Sequence, residues 1–347
     1  MQYKNVEIHH PITVFGSSIS YFTGKLENYL RLKGVPYQHQ ALTGGLRKSA
    51  RKKLGVTQIP AVQLDDDTWM TDTTPMIQWF ENQIPANPII PLDPLQRFFS
   101  LMLEDYADEW LWRPAMHYRW YYKTGAHFAG THLAIEMGVD VPAPIFLKRL
   151  HIIYRQRHGY TTGDGITKDQ VPQHEAIFLR TLAQLQAIFE ARPFLLGDSP
   201  SLADIAFAGP FFRHFALDPV PAEIIRRQAP AVYEWVSRLW NAGIQEAEPN
   251  LLQGIPADWG PILKELGEHY LPYLCTNVEA VKAGKPKFDA NIGGIHYKGA
   301  LSSRYRVWCL QQLRNHYYEL DEGHQHEAKT ILEAHNCWEP LWRSKDL

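Results

Sequence analysis

The sequence predicts a small α/β domain, then an all-α domain and a mostly helical extension. Patterns typical of strands and helices alternate in the order β-α-β-α-β-β-α within the first 84 residues. The next segment, IPANPIIPLDP (84–94), has four prolines and no periodicity, which is typical of a linker. Helical periodicity dominates beyond it. We therefore expect domains over residues 1–88 and 95–250, and an extension over residues 251–347 that packs on the helical domain.

The elements of the α/β part follow from local patterns. ITVFG (12–16) is a β-branched apolar run that ends in Gly, so it predicts a buried strand. GKLENYLRLKG (24–34) has apolar residues at helical spacing and stops at Gly34, a signal for a helix C-cap. Thr74-Pro75 indicates a helix start, because Pro suits the first helical position. The other predicted elements are a strand at 35–42, a basic helix at 47–55, short strands at 59–64 and 68–71, and a helix at 74–84.

The part after the linker is predicted to be mostly helical. The stretch 95–122 is amphipathic and is interrupted at Pro114, and a loop is expected at 157–172. Ser201 and Asp204 form an acidic variant of a capping box ahead of an apolar run, for which we expect a structural role and no chemistry. Further helices are predicted at 173–197, 201–217, 230–243 and 305–320.

Composition excludes several classes of protein. The chain has 347 residues, 45% hydrophobic and 21% charged, so a sizeable core is expected. Its formal net charge of −2 argues against a general nucleic-acid-binding protein. The 3 cysteines form no CxxC pair, which argues against a disulfide scaffold and favours a reducing compartment. The N-terminus lacks the apolar core of a signal peptide, and no apolar run reaches the roughly 20 residues needed to span a bilayer. We expect a soluble cytoplasmic protein with no membrane partner.

No metal site is expected from the sequence. GHQHE (323–327) contains a His-x-His pair, but no third ligand stands at a metal-like spacing, so surface polar residues are the better interpretation. The sequence also shows no GxGxxG motif, no P-loop and no Ser-His-Asp arrangement. Candidate functional residues lie instead in the α/β domain and in the first helices after the linker.

Two segments, taken with the order of elements, carry a resemblance to a known family. They are TQIPAVQLDDDTWMTDTTPMIQWFE (57–81) and FLLGDSPSLADIAFAG (194–209). Over residues 11–245 the chain resembles the glutathione transferase superfamily, and its Ser-type members in particular. The resemblance implies a thioredoxin-like N-terminal domain and an all-α C-terminal domain, the architecture of the cytosolic glutathione transferases.

The resemblance also implies a function. Glutathione would be the cosubstrate, and its thiolate would attack a small hydrophobic electrophile in a detoxification reaction carried out by a homodimer. The alternative is a protein-interaction module of the same fold that has lost catalysis, with which the long extension is compatible. A thiol-disulfide enzyme of this fold would need a cysteine near the first helix, and none precedes Cys275.

One implied glutathione-binding motif surrounds Pro60. Thioredoxin-like folds hold a cis proline at this position, and the backbone of the preceding Ile59 would then pair with the cysteinyl unit of glutathione. The alternative is an ordinary trans proline at the start of a strand. Gln58 is a further candidate for a contact to the peptide.

The second implied motif is Asp72-Thr73, which matches the Glu/Gln-Ser pair of the family. A hydroxyl and free N–H groups at a helix N-terminus suit the carboxylate of a γ-glutamyl group, and an acidic side chain suits its ammonium. The alternative is that Thr73 or Thr74 only caps the helix. Asp in place of Glu or Gln shortens the reach toward the ammonium.

The predicted catalytic residue is Ser20. Tyr-type members place their Tyr near Phe15 and Gly16, and Cys-type members place their Cys near Phe22, which has no thiol. In Ser-type members the spacing back from Lys33-Gly34 leads to Ser20. Its hydroxyl would donate to the sulfur, and the N-terminus of a helix that starts near Gly24 would add partial positive charge; both lower the pKa of a thiol.

Other interpretations of this loop stay open. Ser20 or Thr23 could simply cap the helix, and Ser17 and Ser18 are the candidates if the strand runs longer than expected. Tyr21 lies too far along the chain to be the catalytic Tyr of the family.

The electrophile pocket is expected along the aromatic stretch 104–122. Helical spacing places Trp110, Arg113, His117 and Trp120 on one face, and the resemblance implies that the first helix of the second domain lines this pocket. We assign Tyr21, Trp110, Arg113 and His117 to it; the alternative is plain packing of a buried helix. The basic run RKSARKK (47–53) offers a cation for the glycine carboxylate, with no choice made among Arg47, Lys48, Arg51, Lys52 and Lys53.

Overall fold

The computed structural model of the protein describes residue 8 and residues 11–64, 68–244 and 249–344. Its N-terminal part is a four-stranded sheet flanked by three helices. The elements are β1 (Ile12–Gly16), α1 (Tyr21–Lys33), β2 (Tyr37–Ala41), α2 (Gly44–Leu54), β3 (Ala61–Gln63), β4 (Trp69–Thr71) and α3 (Thr73–Gln83). This thioredoxin-like arrangement agrees with the fold class expected from the sequence.

The order of strands in the sheet is β2-β1-β3-β4. β1 is parallel to β2 and antiparallel to β3, so Val14 lies between His39 and Val62. Ile12 and Val14 are fully buried because apolar side chains of a central strand are covered on both faces. α1 ends at Gly34, whose φ of +71° is the left-handed conformation that glycine adopts without strain.

The second part is all helical. Its helices are α4 (Pro94–Glu109), α5 (Trp112–Tyr121), α6 (Lys123–Glu136), α7 (Ile145–Arg155), α8 (Val171–Ala191), α9 (Leu202–Pro210), α10 (Pro219–Gln228) and α11 (Pro230–Asn241). Every residue of α9 is buried, because this helix packs between α1 and α4 and joins the two parts in one hydrophobic core.

The extension is helical with one antiparallel hairpin. It contains α12 (Gly260–Glu265), α13 (Leu271–Lys282), β5 (Lys287–Ile292), β6 (Ile295–Leu301), α14 (Arg304–Tyr318), α15 (Glu322–Ala334) and α16 (Trp338–Trp342). Trp259 and Tyr270 are fully buried, and the Tyr270 hydroxyl donates to Asp105 of α4 at 2.5 Å. This hairpin was not predicted from the sequence.

Two of the predicted boundaries near the cavity are wrong. The first helix begins at Tyr21 and not near Gly24, because the Ser20 side chain accepts the Thr23 N–H and caps the helix there. The aromatic stretch breaks at Trp110-Leu111, between α4 and α5, and not at Pro114. Pro114 lies in the first turn of α5, where the N–H that proline lacks has no helical partner to lose.

Membrane spans and metal-binding clusters are both missing from the ranges that the structure describes. Within them, each helix is too short or too polar to span a lipid bilayer. The same residues hold no cluster of three or more His, Cys, Asp or Glu side chains arranged to bind a metal ion. The three cysteines are free and buried.

Candidate active site

A cavity of about 1210 Å³ lies where the sheet meets α4–α7 and the start of α14. Its volume exceeds the range of about 300–1,000 Å³ that is usual for a single small ligand. All of the predicted glutathione-binding residues line it: Ser20, Gln58, Ile59, Pro60, Asp72 and Thr73. Tyr21, which was assigned to the electrophile pocket, lines it as well. The structure therefore brings the two predicted motifs and the predicted serine to one cavity.

Ser20 is the N-cap residue of α1 and is half-buried at the cavity wall. Its Oγ accepts the Thr23 N–H at 3.4 Å, so the capping interpretation of this residue holds. An accepting hydroxyl oxygen still carries its own proton, and no acceptor for that proton is found among the described residues. Capping and donation to a sulfur in the cavity are therefore compatible roles.

The two fallback serines are placed differently. Ser17 is buried, and its hydroxyl donates to Glu136 Oε2 at 2.5 Å, so its proton is already committed. Ser18 is exposed and does not line the cavity; its backbone N–H donates to Glu136 Oε1 at 2.7 Å. Of the three serines, Ser20 alone combines a place at the wall with an uncommitted proton, within the part of the chain that the structure describes.

Glu136 of α6 is a residue that the sequence did not reveal. Besides the two serines, it lies 3.7 Å from His39 Nε2, while His39 Nδ1 lies 2.7 Å from Glu27 Oε1. Hydrogen bonds to Glu136 and Glu27 raise the pKa of His39 to about 9. Burial raises the pKa of Glu136, but hydrogen bonds from His39 and the two serines outweigh it and bring that pKa to about 2. The loop before Ser20 is thus fastened by an ionised pair.

Tyr21 contributes its ring and not its hydroxyl. The hydroxyl donates to the Ala107 carbonyl of α4 at 2.6 Å, and the side chain is buried. Burial, together with the nearby Asp108 carboxylate, raises the pKa of Tyr21 well above its ordinary value. A phenol in this state is a poor partner for activating a thiol, which agrees with the sequence argument against Tyr21 as the catalytic residue.

The Ile59–Pro60 peptide bond is cis, as the sequence analysis expected. Pro60 is buried, and its carbonyl accepts the Thr71 hydroxyl at 3.1 Å. Gln58 and Ile59 lie before it on the cavity wall.

The Asp72-Thr73 pair forms the beginning of α3. Asp72 is the N-cap residue, with φ of +74°, an uncommon conformation for a non-glycine residue. Its Oδ2 accepts the hydroxyl of Tyr305, which belongs to the extension, at 3.2 Å. Thr73 is the first helical residue, and the Thr74 hydroxyl donates to Glu104 of α4. Neither threonine caps the helix, so that alternative is wrong.

Three residues of the aromatic stretch that were predicted to line the electrophile pocket lie elsewhere in the structure. Trp110, Arg113 and His117 do not line the cavity. Because the chain turns between α4 and α5, the helical spacing counted from Trp110 does not continue into α5. The residues of α5 that line the cavity are Trp112, Met116, Arg119 and Trp120.

The three misplaced residues serve packing. The Arg113 guanidinium lies 4.9 Å from the ring centroid of Trp110 and 4.1 Å from that of Tyr273 in the extension, and it pairs with Asp164 at 3.2 Å. His117 stacks on Tyr121 with a centroid separation of 4.9 Å. For Trp110, Arg113 and His117 the packing alternative is therefore the correct one.

Arg119 is a second residue that the sequence did not single out. It is buried at the cavity wall, donates to the Ile19 carbonyl at 2.7 Å, and pairs with Asp218 at 2.9 Å. It fixes the backbone immediately before Ser20 from the side of α5. A lone arginine in an aromatic helix carries no local signal for such a role.

The basic run contributes one residue to the cavity. Arg47 lines it, together with Lys148 and Arg155 of α7, whereas the other four cations of the run do not. Burial lowers the pKa of Arg47, and the like charge of Arg155 lowers it further. These groups make one part of the cavity wall cationic.

Comparisons with known proteins agree with this architecture. A family profile described as "Glutathione S-transferase, N-terminal domain" matches residues 14–88, and one described as "Glutathione S-transferase, C-terminal domain" matches residues 143–242. No curated protein sequence matches the chain.

Several solved structures are similar at low sequence identity. The β-etherase LigF from Sphingobium sp. strain SYK-6 is 18% identical, with a TM-score of 0.47 over 66% of this chain and 94% of that chain. A glutathione S-transferase from Rhodospirillum rubrum F11 is 16% identical, with a TM-score of 0.44 over 72% and 98%. One from Methylobacterium radiotolerans JCM 2831, in complex with glutathione sulfonate, is 14% identical, with a TM-score of 0.40 over 70% and 99%.

Proposed function

Because the chain belongs to the glutathione S-transferase superfamily, we propose that it binds glutathione and transfers its thiolate to a small apolar electrophile. One observation carries the proposal. The serine expected to activate the thiol and both motifs expected to hold the peptide line a single cavity, although they are separated by up to about fifty residues in the sequence.

Ser20 is assigned as the catalytic residue. Its uncommitted hydroxyl proton would stabilise a thiolate by a hydrogen bond, and the N-terminus of α1 supplies partial positive charge at the same place. Both effects favour the thiolate over the thiol, whose ordinary pKa is about 8.5. The protein itself forms no covalent intermediate, because the nucleophile belongs to the cosubstrate.

The peptide is proposed to bind along three contacts. The backbone beside Ile59–Pro60 pairs with the cysteinyl unit, and the N-terminus of α3 at Thr73 receives the γ-glutamyl carboxylate. Arg47 is the cation of the basic run that receives the glycine carboxylate, since it is the member of that run on the cavity wall.

The electrophile is proposed to lie against Trp112, Met116 and Trp120, with the Tyr21 ring beside them. These side chains offer an apolar, aromatic wall next to Ser20, which suits a small hydrophobic substrate. Holding the electrophile against the thiolate supplies proximity, the second part of the expected catalysis. A homodimer in the cytoplasm remains the expectation from the family, and light scattering of the purified protein would measure the number of subunits.

Calorimetric titration with glutathione, followed by turnover assays on aryl halides and α,β-unsaturated carbonyl compounds, tests the proposal. Binding and turnover are expected for the unmodified protein. Ser20→Ala should raise the pKa of the bound thiol by about one unit, equivalent to about 1.4 kcal/mol, and lower kcat/KM accordingly, because the donor to the thiolate is lost. Thiolate absorbance measured against pH gives that pKa directly.

Two comparison variants make the test specific. Ser18→Ala removes an exposed hydroxyl two residues away and should leave the thiol pKa unchanged. Tyr21→Phe should also leave it unchanged, since that hydroxyl is committed to Ala107. A large shift in Tyr21→Phe with none in Ser20→Ala would mean that the active hydroxyl is the tyrosine. Absence of binding and turnover would favour a non-catalytic interaction module.

A further inference from the structure

Helix α7 contributes a basic face to the cavity. Lys148, His151 and Arg155 stand three and four positions apart along this helix, a spacing that places them on one side of it, and all three line the cavity. The segment from 141 to 163, which contains α7, has four Lys and Arg residues and no Asp or Glu. The part of the wall that α7 forms is therefore cationic, with no acidic side chain near it in the sequence.

Lys148 and Arg155 have no carboxylate partner among the described residues. The Arg155 guanidinium makes neither an ion pair nor a side-chain hydrogen bond in those ranges, and it lies 5.8 Å from the ring centroid of Tyr160. Lys148 Nζ donates to the Gly138 carbonyl at 2.7 Å, which leaves two N–H groups of the ammonium for another acceptor. Arg155 is exposed and Lys148 is half-buried, so both can meet a ligand that enters from solvent.

Two other cations of the cavity wall are neutralised by the protein itself. Arg119 pairs with Asp218 at 2.9 Å, and Arg306 pairs with Asp164 at 2.7 Å. Cations that line the same cavity without such a partner are the groups that a negatively charged ligand would find available.

Glutathione does not occupy the two cations of α7. Its two carboxylates are assigned to the N-terminus of α3 at Thr73 and to Arg47. Burial lowers the pKa of Arg47, and the like charge of Arg155 lowers it further, so these two guanidinium groups repel each other across the cavity wall. An additional anion beside Arg155 would reduce this repulsion.

An apolar surface joins the Ser20 loop to α7. Six residues that line the cavity belong to one hydrophobic cluster or pack against it: Ile19, Trp112, Met116, Trp120, Leu133 and Ile152. Ile19 directly precedes Ser20, and Ile152 lies on α7 between Lys148 and Arg155. An apolar molecule that lies along this cluster therefore connects the place of the thiolate with the two cations.

We propose that the electrophile carries a negatively charged group, such as a carboxylate, on its apolar body, and that Lys148 and Arg155 bind this group. The inference rests on the proposed function and narrows its substrate class to amphipathic acids. A guanidinium can donate two parallel N–H bonds to a carboxylate, and an ammonium adds a further donor. The cavity volume of about 1210 Å³ gives room for such a molecule beside the peptide.

The test measures kcat/KM with glutathione for matched acids and amides. N-(4-chloro-3-nitrobenzoyl) derivatives of glycine, 4-aminobutyrate and 6-aminohexanoate share one reacting carbon and carry a carboxylate at three distances from it, and the corresponding primary amides lack only the charge. In each reaction the thiolate sulfur bonds to the ring carbon, and chloride leaves with the electrons of its bond. We expect the acid to be preferred over its amide at least tenfold at one or more of these lengths.

Variants of α7 locate the source of this preference. Lys148→Gln and Arg155→Gln should each lower it at least threefold, mainly through a higher KM for the acid, because one partner of the carboxylate is lost. Both should leave the calorimetric Kd for glutathione within twofold. Arg149→Gln is the matched control, since it removes a charge from a neighbouring position of α7 that does not line the cavity, and it should keep the preference.

The possible failures can be told apart. Equal kcat/KM for acid and amide at all three lengths in the unmodified protein would overturn the inference and leave the proposed function standing. A preference that neither Lys148→Gln nor Arg155→Gln reduces, or that Arg149→Gln reduces equally, would overturn it as well. A large rise in the Kd for glutathione in the first two variants would assign these cations to the peptide and so contradict the inference. Neither binding of glutathione nor turnover of any of the six compounds would overturn the proposed function with it.

Discussion

At the scale of single residues, the most informative group is His39 with Glu136. His39 lies on β2, Glu136 lies at the end of α6, and between them they hold the loop that precedes Ser20. An ion pair with two further hydrogen bonds to one carboxylate fixes a loop better than a lone surface pair does. The position of the Ser20 hydroxyl therefore depends on charges outside the cavity wall.

This pair predicts a dependence of stability on pH. The folded pKa of His39, about 9, lies above its ordinary value of 6.5, so its contribution to stability is complete below about pH 6.5 and is lost as the pH rises through 9. His39→Gln should therefore cost about 1 kcal/mol of unfolding free energy at pH 6, after allowance for solvent screening, and almost nothing at pH 10. Urea denaturation of the variant and the unmodified protein at pH 6 and pH 10 measures this difference in unfolding free energy. An equal loss at the two pH values would contradict the prediction.

At the scale of elements, α9 shows how a helix start is fixed inside the core. Asp204 is fully buried and accepts the N–H groups of Ser201 and Leu195 and the indole N–H of Trp235, each at 3.0 Å. The capping box indicated by the sequence is present, and the structural role expected for it extends to α11 through Trp235. Burial raises the pKa of Asp204 to about 6, although the hydrogen bonds from these three donors lower it.

Loss of this carboxylate should be costly. Asp204→Ala leaves buried N–H donors without acceptors, so we expect the unfolding free energy to fall by about 3 kcal/mol or more. Asp258→Ala is the matched control, because that carboxylate is exposed at the surface and pairs with Arg192, and its loss should cost less than about 1 kcal/mol. Thermal and urea unfolding of the two variants and the unmodified protein measure these losses of unfolding free energy. Similar small losses in both would show that the capping box contributes little.

The sequence predicted what is local and missed what depends on a turn or on distant contacts. The strands and helices of the first part follow from apolar periodicity and from Gly34, and Ser20 was found by counting along one loop. Trp110, Arg113 and His117 were expected at the cavity but lie elsewhere, because the chain breaks between α4 and α5 at Trp110-Leu111. No breaker residue marks this break in the sequence. Tyr305 was missed because its partner is 233 positions away.

At the scale of the whole molecule, the extension belongs to the core. Gln96 of α4 donates to the carbonyls of Leu252 and Gly254 at 2.6 and 2.9 Å, and Arg180 of α8 pairs with Glu265 at 2.8 Å. The fully buried Trp110 ring packs against Tyr273 of α13, with ring centroids 5.6 Å apart. Removing the extension would expose these aromatic surfaces of the second part.

Limited proteolysis of the full-length protein tests this packing. We expect residues 257–342 to stay attached and protected at protease levels that leave the rest intact, because cleavage requires local opening of buried helices. A chain that ends at residue 250 should be less stable and prone to aggregation. Rapid release of everything beyond about residue 255, with a stable and equally active remainder, would show that the extension is an appendage.

The contact between Asp72 and Tyr305 also sets the order in which the protein can mature. During synthesis the sheet and α1 leave the ribosome first, whereas Tyr305 follows 233 residues after its partner, at a time cost of about 10–50 s at typical elongation rates. Closing so long a loop comes late in folding, because its entropy cost precedes any gain from the contact. The newborn chain therefore holds an unfinished cavity for most of its synthesis, and an interrupted translation product never acquires the last wall.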